Sequence, residues 1–240
     1  GITSCAFLAL LRIYHICTAA NETAYTSKLL IFMGFFSMAV AALFMIRQRD
    51  LKRMLAYSSI EHMGILVIGL GIGAPALFGT LFHVITNGLT KGVLFLSAGN
   101  IHRAYGSKST DYVHGVLRIL PFSGTLFLIG FLAITGSPPF GPFISEFSIL
   151  AGAFQSERYF VGALFLFLLL LVFIGMGATV LSAVQGKASG VNRQKIEFKD
   201  SLSTGVPVLG LMLLVLIIGV YIPSPLLNLL NDAVSFLRGQ

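Results

Sequence analysis

His83, Asn87 and Lys91 stand four residues apart in the apolar stretch HVITNGLTKGVLFL, residues 83–96. On a helix each step of four residues turns the side chain by only about 40°, so the three share one face. A second polar group, Ser58, Ser59, Glu61 and His62, lies about nine residues or ~14 Å of helix beyond Lys52. A third is Glu146, in FISEFSIL. Together they supply an amine, imidazoles and carboxyls. Low dielectric strips solvation from the charged forms of all three, so they can trade protons, with Ser, Asn or water between them. The competing use of such groups is to hold helices together by interhelical hydrogen bonds, and at this level both readings stand.

The elements that must position these groups are membrane helices. Of 240 residues 56% are hydrophobic and 10% charged, where a water-soluble domain carries about 25% charged residues. Seven apolar runs are long enough to cross a bilayer: 1–19, 28–47, 52–73, 76–102, 119–152, 159–184 and 204–222. An amphipathic tail, PSPLLNLLNDAVSFLRGQ, follows and is expected along the membrane surface. The net charge of +7 does not point to nucleic acid, because the basic residues sit in short loops. Arg47, Arg49, Lys52, Arg53, Arg103, Lys108, Arg118, Lys187, Arg193, Lys195 and Lys199 fall on one side, and Lys28, Arg158 and Arg238 on the other. By the positive-inside rule the first side is cytoplasmic, which puts the N-terminal end inside and the C-terminus outside.

The run 119–152 is too long for one crossing and too short for two. Pro138, Pro139 and Pro142 remove backbone donors at its centre, and Gly136 and Gly141 loosen it. The pattern predicts a helix broken inside the membrane, which is tolerated where protein or a water-filled cavity satisfies the freed groups. Glu146 follows the break, so it is a functional candidate by position. An intramembrane charge costs at least ~2.5–3.5 kcal/mol, so Glu61, Lys91 and Glu146 are expected to face a polar interior and one another. Arg12 either pairs with Glu61 or snorkels; His15, His102 and His114 lie near span ends. Cys5 and Cys17 have no CxxC spacing, so no metal site, iron–sulfur cluster or other cofactor is expected in this chain. The start GITSCAFLALLRIYHICTAA lacks Met and signal-peptide order, and sequence upstream or a separate partner chain is expected.

RDLKRMLAYSSIEHMG, FHVITNGLTKGVLFLSAGNIH and GSPPFGPFISEFSIL, in that order, resemble the antiporter-like membrane subunits shared by respiratory complex I, group 4 membrane-bound hydrogenases and multisubunit cation/proton antiporters. Within them, SSIEHMG is most similar to the F-type subunit of hydrogenase-4 and formate hydrogenlyase-like complexes. The resemblance implies an all-α polytopic fold of two inverted five-helix repeats, each with a broken helix. Residues 28–184 would be the second repeat, 1–27 the helix linking to a missing N-terminal repeat, and 185–240 a cytoplasmic loop, last span and amphipathic tail. It further implies that Lys91 is the central lysine, His83 the histidine two turns before it, and Glu146 the terminal, outward-connected site. His62 matches the histidine of SHMG-type sequences. Asn87 departs from a second histidine found in many members, and GITSCAF stands where several carry a lysine.

The resulting expectation is a proton-translocating subunit, or its C-terminal half, of a membrane-bound hydrogenase or complex I-like assembly in a prokaryotic cytoplasmic membrane. The relay would be Lys91, His83, Glu146, Glu61 and His62, with Asn87, Ser58 and Ser59 in support. The chain would hold no catalytic centre; nickel–iron, iron–sulfur or quinone sites would belong to partner subunits, which would include a redox arm. A stand-alone Na⁺/H⁺ antiporter and a structural membrane anchor with an inert relay are the alternatives.

Overall fold

Each apolar run becomes a helix, as a chain without access to water must satisfy its backbone internally. The computed structural model describes residues 2–185, 198 and 200–238. Lys187, Ser189, Arg193, Lys195 and Lys199 of the last basic loop lie outside them. The helices are α1 (Ile2–Ala19), α2 (Thr23–Met45), α3 (Leu51–Ile72), α4 (Leu77–Tyr105), α5 (Val116–Ile119), α6 (Pro121–Ile134), α7 (Gly141–Gln155), α8 (Tyr159–Gln185), α9 (Leu202–Val220) and α10 (Ser224–Arg238). Six of them, α1–α4, α8 and α9, are long and apolar enough to span. The seventh expected span is the pair α6–α7.

The second helix starts at Thr23, earlier than the expected 28. Lys28 does not end it, because an exposed lysine near a helix end can extend its apolar stem toward the interface. The amphipathic tail also differs from a helix lying on lipid alone. Leu230, Val234 and Leu237 pack into a cluster with Phe7, Tyr14, Leu66 and Leu77, and Phe236 stacks on His15 at 5.3 Å.

Hydrogen bonds between loops divide the bundle into two sides. On one, Thr110 N donates to Arg49 O at 2.7 Å, Leu51 N to Lys108 O at 3.0 Å and Thr179 Oγ1 to Gln48 O at 3.0 Å. Arg49 pairs with Asp111 at 3.5 Å and Lys108 with Asp50 at 3.8 Å. This is the basic side. On the other, Arg158 Nη1 donates to Ser27 Oγ at 3.0 Å and to Gly71 O at 3.1 Å, joining the start of α8 to the start of α2 and the end of α3.

The same contacts fix the path of the broken helix. The segment before α6 meets the basic side, where His114 Nδ1 lies 3.3 Å from Ser182 O. The end of α7 meets the opposite side through Arg158. Residues 121–155 therefore make one crossing with an interruption at 135–140. At 14 and 15 residues, α6 and α7 are each only about 21–23 Å long, short of the ~30 Å core.

Two further devices set the register. An added Cβ on Gly34 would meet Gly64 O at 2.8 Å, and one on Gly64 would meet Gly34 O at 2.7 Å. Helices α2 and α3 therefore touch backbone to backbone, as small residues permit in membranes. At the basic end, Asp200 caps α6 from across the bundle. Its Oδ2 accepts from Phe122 N at 3.0 Å and Ser123 N at 3.1 Å, and its Oδ1 accepts from Ser123 Oγ at 2.6 Å.

Candidate functional site

Helices α3 and α4 form an antiparallel hairpin about the turn at 73–76, and its pairing brings the two polar groups of the sequence face to face. Ser59 and Lys91 are each sixteen residues from Pro75. In the fold, Lys91 Nζ donates to Ser59 Oγ at 2.5 Å. One step nearer the turn, His62 Nδ1 lies 3.0 Å from His83 Nε2, with ring centroids 5.1 Å apart. Both imidazoles are 0% exposed.

The run continues into the broken helix. His83 Nδ1 is 2.8 Å from Ser145 Oγ, and Ser145 Oγ donates to Pro142 O at 2.8 Å. On the other flank, His62 Nε2 is 3.6 Å from Glu61 Oε2. Glu61, His62, His83 and Ser145 thus form a buried file across α3, α4 and α7.

Donor accounting fixes the protons in this file. A carbonyl only accepts, so Ser145 spends its one hydrogen on Pro142 O. Ser145 Oγ must then accept from His83 Nδ1–H. In a neutral His83 the Nε2 atom is the acceptor, so His62 Nδ1 carries the proton between the rings. The same rule leaves an open lone pair on His62 Nε2, facing Glu61. That nitrogen has no hydrogen-bond partner among the described residues.

Glu146 sits beside this file at the break. One ligand atom each from His62, His83 and Glu146 lies within 4.8 Å of the other two. Its carboxylate rests on Gly136, whose φ of +68° belongs to the left-handed region and where an added Cβ would collide with Glu146 Oε2. Glu146 Oε1 is buried without a partner among the described residues. The carboxylate also lines a cavity of about 280 Å³ with Thr135, Phe143, Phe147 and Phe173, two of which, Phe147 and Phe173, are exposed at the outer surface of the bundle.

The residues singled out by pattern do not all join. Lys91 reaches Ser59 rather than His83, although its charge acts on Glu61, His62 and His83. Ser58 Oγ and Asn87 Oδ1 are buried but make no hydrogen bond among the described residues. Arg12 is exposed while Glu61 is buried, and no ion pair joins them. Gly136, Pro138 and Pro139 lie in the break, and Gly141 and Pro142 open α7.

Residues 2–175 match the family described as NADH:quinone oxidoreductase/Mrp antiporter, TM. The chain belongs to that family. Curated members of similar sequence include a hydrogenase-4 component F homolog of Methylacidiphilum infernorum, 35% identical over 91% of this chain and 44% of the relative. The F(420)H(2) dehydrogenase subunit M of Methanosarcina mazei is 33% identical over 82% of this chain and 39% of its own length. The chain thus spans less than half the length of these relatives. Among solved structures, one chain of the archaeal membrane-bound sulfane sulfur reductase superposes with a TM-score of 0.84 at 26% identity, over 96% of this chain and 46% of that one. Respiratory complex I of Thermus thermophilus gives 0.77 at 27% identity, over 92% and 47%.

Two features of this family member escape a reading by motif. Ser145 adjoins the acid that draws attention, and serines that bond back to their own helix are common in membrane spans. Its position next to His83 depends on packing between α4 and α7. Asn100 is the other: its Nδ2 donates to Ser123 Oγ at 3.1 Å, extending the Asp200 cap into the bundle.

Proposed function

We propose that this chain carries protons across a prokaryotic cytoplasmic membrane as part of a redox-driven, multisubunit complex of the hydrogenase or complex I type. The observation that supports it is the buried file Glu61–His62–His83–Ser145, which joins the α3–α4 hairpin to the broken helix beside Glu146. Structural polarity alone does not call for two fully buried imidazoles in direct contact.

In this reading the basic side is cytoplasmic, residues 28–184 act as one antiporter-like repeat, and Lys91 holds the proton at mid-membrane. The ammonium is bound to Ser59 and acts on Glu61 through space. A proton passed from Lys91 by way of Ser59 and water to Glu61 enters the file at the open His62 Nε2. His62 then gives its Nδ1 proton to His83 Nε2, and His83 releases its Nδ1 proton toward Ser145 and Glu146. Each hop moves one proton along an existing contact. The cavity beside Glu146 provides the way out. Water completes such networks at buried polar atoms that lack partners among the described residues, here Ser58 Oγ, Asn87 Oδ1 and Glu146 Oε1.

The donor set favours protons over Na⁺. A hard cation is held by carboxylate, carbonyl and water oxygens, whereas this file is centred on imidazole nitrogens. The His62, His83 and Glu146 trio has the number of ligands for a metal ion, but both His83 nitrogens are already engaged, and ligation there would break one of the two contacts. Redox centres, nickel–iron, iron–sulfur or quinone, belong in this reading to partner subunits.

The deciding experiment is redox-driven acidification of inverted vesicles carrying the assembled complex with Lys91→Ala or Lys91→Arg. Both are expected to lower pumping by about a hundredfold, the scale for removal of a proton-transfer group, with assembly retained. Arginine fails because guanidinium does not release its proton. Near-normal pumping by Lys91→Arg would make Lys91 a fixed charge and overturn the relay.

A further inference from the structure

A cleft separate from the proton file runs between α2 and the start of α8, with a volume of about 690 Å³, inside the ~300–1,000 Å³ range of ligand sites. Its walls are almost wholly apolar. Phe32, Phe36, Phe160 and Leu164 line it, and three of these are large exposed aromatics, Phe160 at 78%. At one end stand Lys28 and Arg158.

Those two cations need a reason to be there. The side opposite the basic loops carries only Lys28, Arg158 and Arg238 by sequence, yet two of the three, 130 positions apart, converge on one cleft. Neither is in an ion pair among the described residues. Arg158 is also held in place. Its Nη1 donates to Ser27 Oγ and Gly71 O, and Ser27 Oγ in turn donates to Gly71 O. These bonds use only Nη1 of the five-donor guanidinium, so a fixed group has further donors to present next to the lysine.

The length of the cleft fits one leaflet. From Lys28 to Ala39 it follows α2 for eleven residues, about 16 Å, against about 15 Å for half of the hydrocarbon core. We infer that this cleft binds an anionic phospholipid, one acyl chain lying along the phenylalanines and the headgroup phosphate held between Lys28 and Arg158. A guanidinium matches a phosphate through paired hydrogen bonds, and an ammonium adds charge. A zwitterionic headgroup would bring its own cation toward the two already present, so net negative charge is the selective feature.

The test is native mass spectrometry of the chain in its assembled complex, after exchange in detergent with phosphatidylglycerol or phosphatidylcholine. Phosphatidylglycerol is expected to be retained at least fivefold better. Lys28→Glu, at an exposed residue with no ion pair among the described residues, is expected to lower that retention about fivefold or more, the scale of one basic residue at an anionic surface. Ala39→Trp, which fills the deep end, should displace both lipids. A phosphatidylglycerol carrying a photoreactive acyl chain should cross-link to α2 and α8. Equal retention of the two lipids, unchanged retention in Lys28→Glu, or cross-linking elsewhere would overturn the inference. So would a cleft that excludes both lipids in the complex while cross-linking to a neighbouring subunit, since its occupant would then be protein.

Discussion

His83 Nδ1 lies 2.8 Å from Ser145 Oγ, and this contact ties the second turn of α4 to the first turns of α7 just beyond the break. Through it, the carbonyl of Pro142 sets the hydrogen pattern of both imidazoles. The proline therefore has two effects. Its ring fits the first turn of α7, where no backbone donor is needed, and its carbonyl, turned toward Ser145, makes His83 a donor on one edge and an acceptor on the other.

Ser145→Ala should uncouple that arrangement. The His83 Nδ1 donor loses its acceptor while staying buried, which costs about 1–3 kcal/mol. Either tautomer of His83 then becomes accessible, and the fraction oriented for transfer falls. Proton flux per electron is expected to drop about tenfold, equivalent to about 1.4 kcal/mol. Ser145→Thr retains the hydroxyl and is expected to restore most of the flux. Equal flux in the alanine and threonine variants would show that the hydroxyl does not orient the file.

Asp200→Ala is expected to act on stability and not on the proton file. The carboxylate satisfies two backbone donors at the start of α6 and the Ser123 hydroxyl. Losing such a cap costs about 1–2 kcal/mol, and thermal unfolding in detergent should shift downward. Asp200→Asn keeps an acceptor oxygen and should lie between the two. A variant as stable as the parent would mean that water caps α6 equally well.

The contrast between these two residues shows what the sequence makes legible. The spans follow from apolar runs, and the break from three prolines and two glycines within seven residues, 136–142; both are local signals. The Ser59–Lys91 pair is also within reach, because both residues stand sixteen positions from Pro75 and the helices on either side must be antiparallel, whereas His62 and His83, thirteen and eight positions from it, are not paired by that symmetry. Asp200 and Ser145 are different. Asp200 lies 77 residues from Ser123 and Ser145 62 from His83, and no periodicity relates elements that meet only through tertiary packing. The stripe 83–87–91 illustrates the limit from the other direction. A shared helix face places three side chains together, but Asn87 and Lys91 lie beyond the contact between α4 and Ser145, so only His83 enters the file.

Sidedness has its own check. Ser107 lies in the loop after α4, on the basic side, and Ser156 follows α7, on the side of Arg158. Cysteines placed at the two positions should react with a membrane-impermeant reagent from opposite faces of sealed vesicles, Ser107→Cys from the cytoplasmic one. Reaction of both from the same face would mean an even number of crossings between them and would rule out the single broken span.

Glu146 gives the most discriminating result, because its place combines burial, an oxygen with no partner among the described residues and contact with the break. Glu146→Gln preserves shape and hydrogen-bonding capacity but removes the exchangeable proton. Assembly should survive, and pumping should fall about a hundredfold, as for other losses of an acid–base group. Gly136→Ala separates position from chemistry. It leaves the carboxyl intact but forces a side chain into a left-handed conformation, at a cost of about 1–2 kcal/mol, and into the space of Glu146 Oε2. That variant is expected to be less stable and to pump at a reduced rate with its carboxylate displaced. Glu146→Lys, which restores a proton-exchanging group at the same place, is expected to recover part of the flux. The measurement for all three is the ratio of protons moved to electrons transferred in inverted vesicles. A Glu146→Gln complex with the normal ratio would mean that protons leave by a route that bypasses the broken helix.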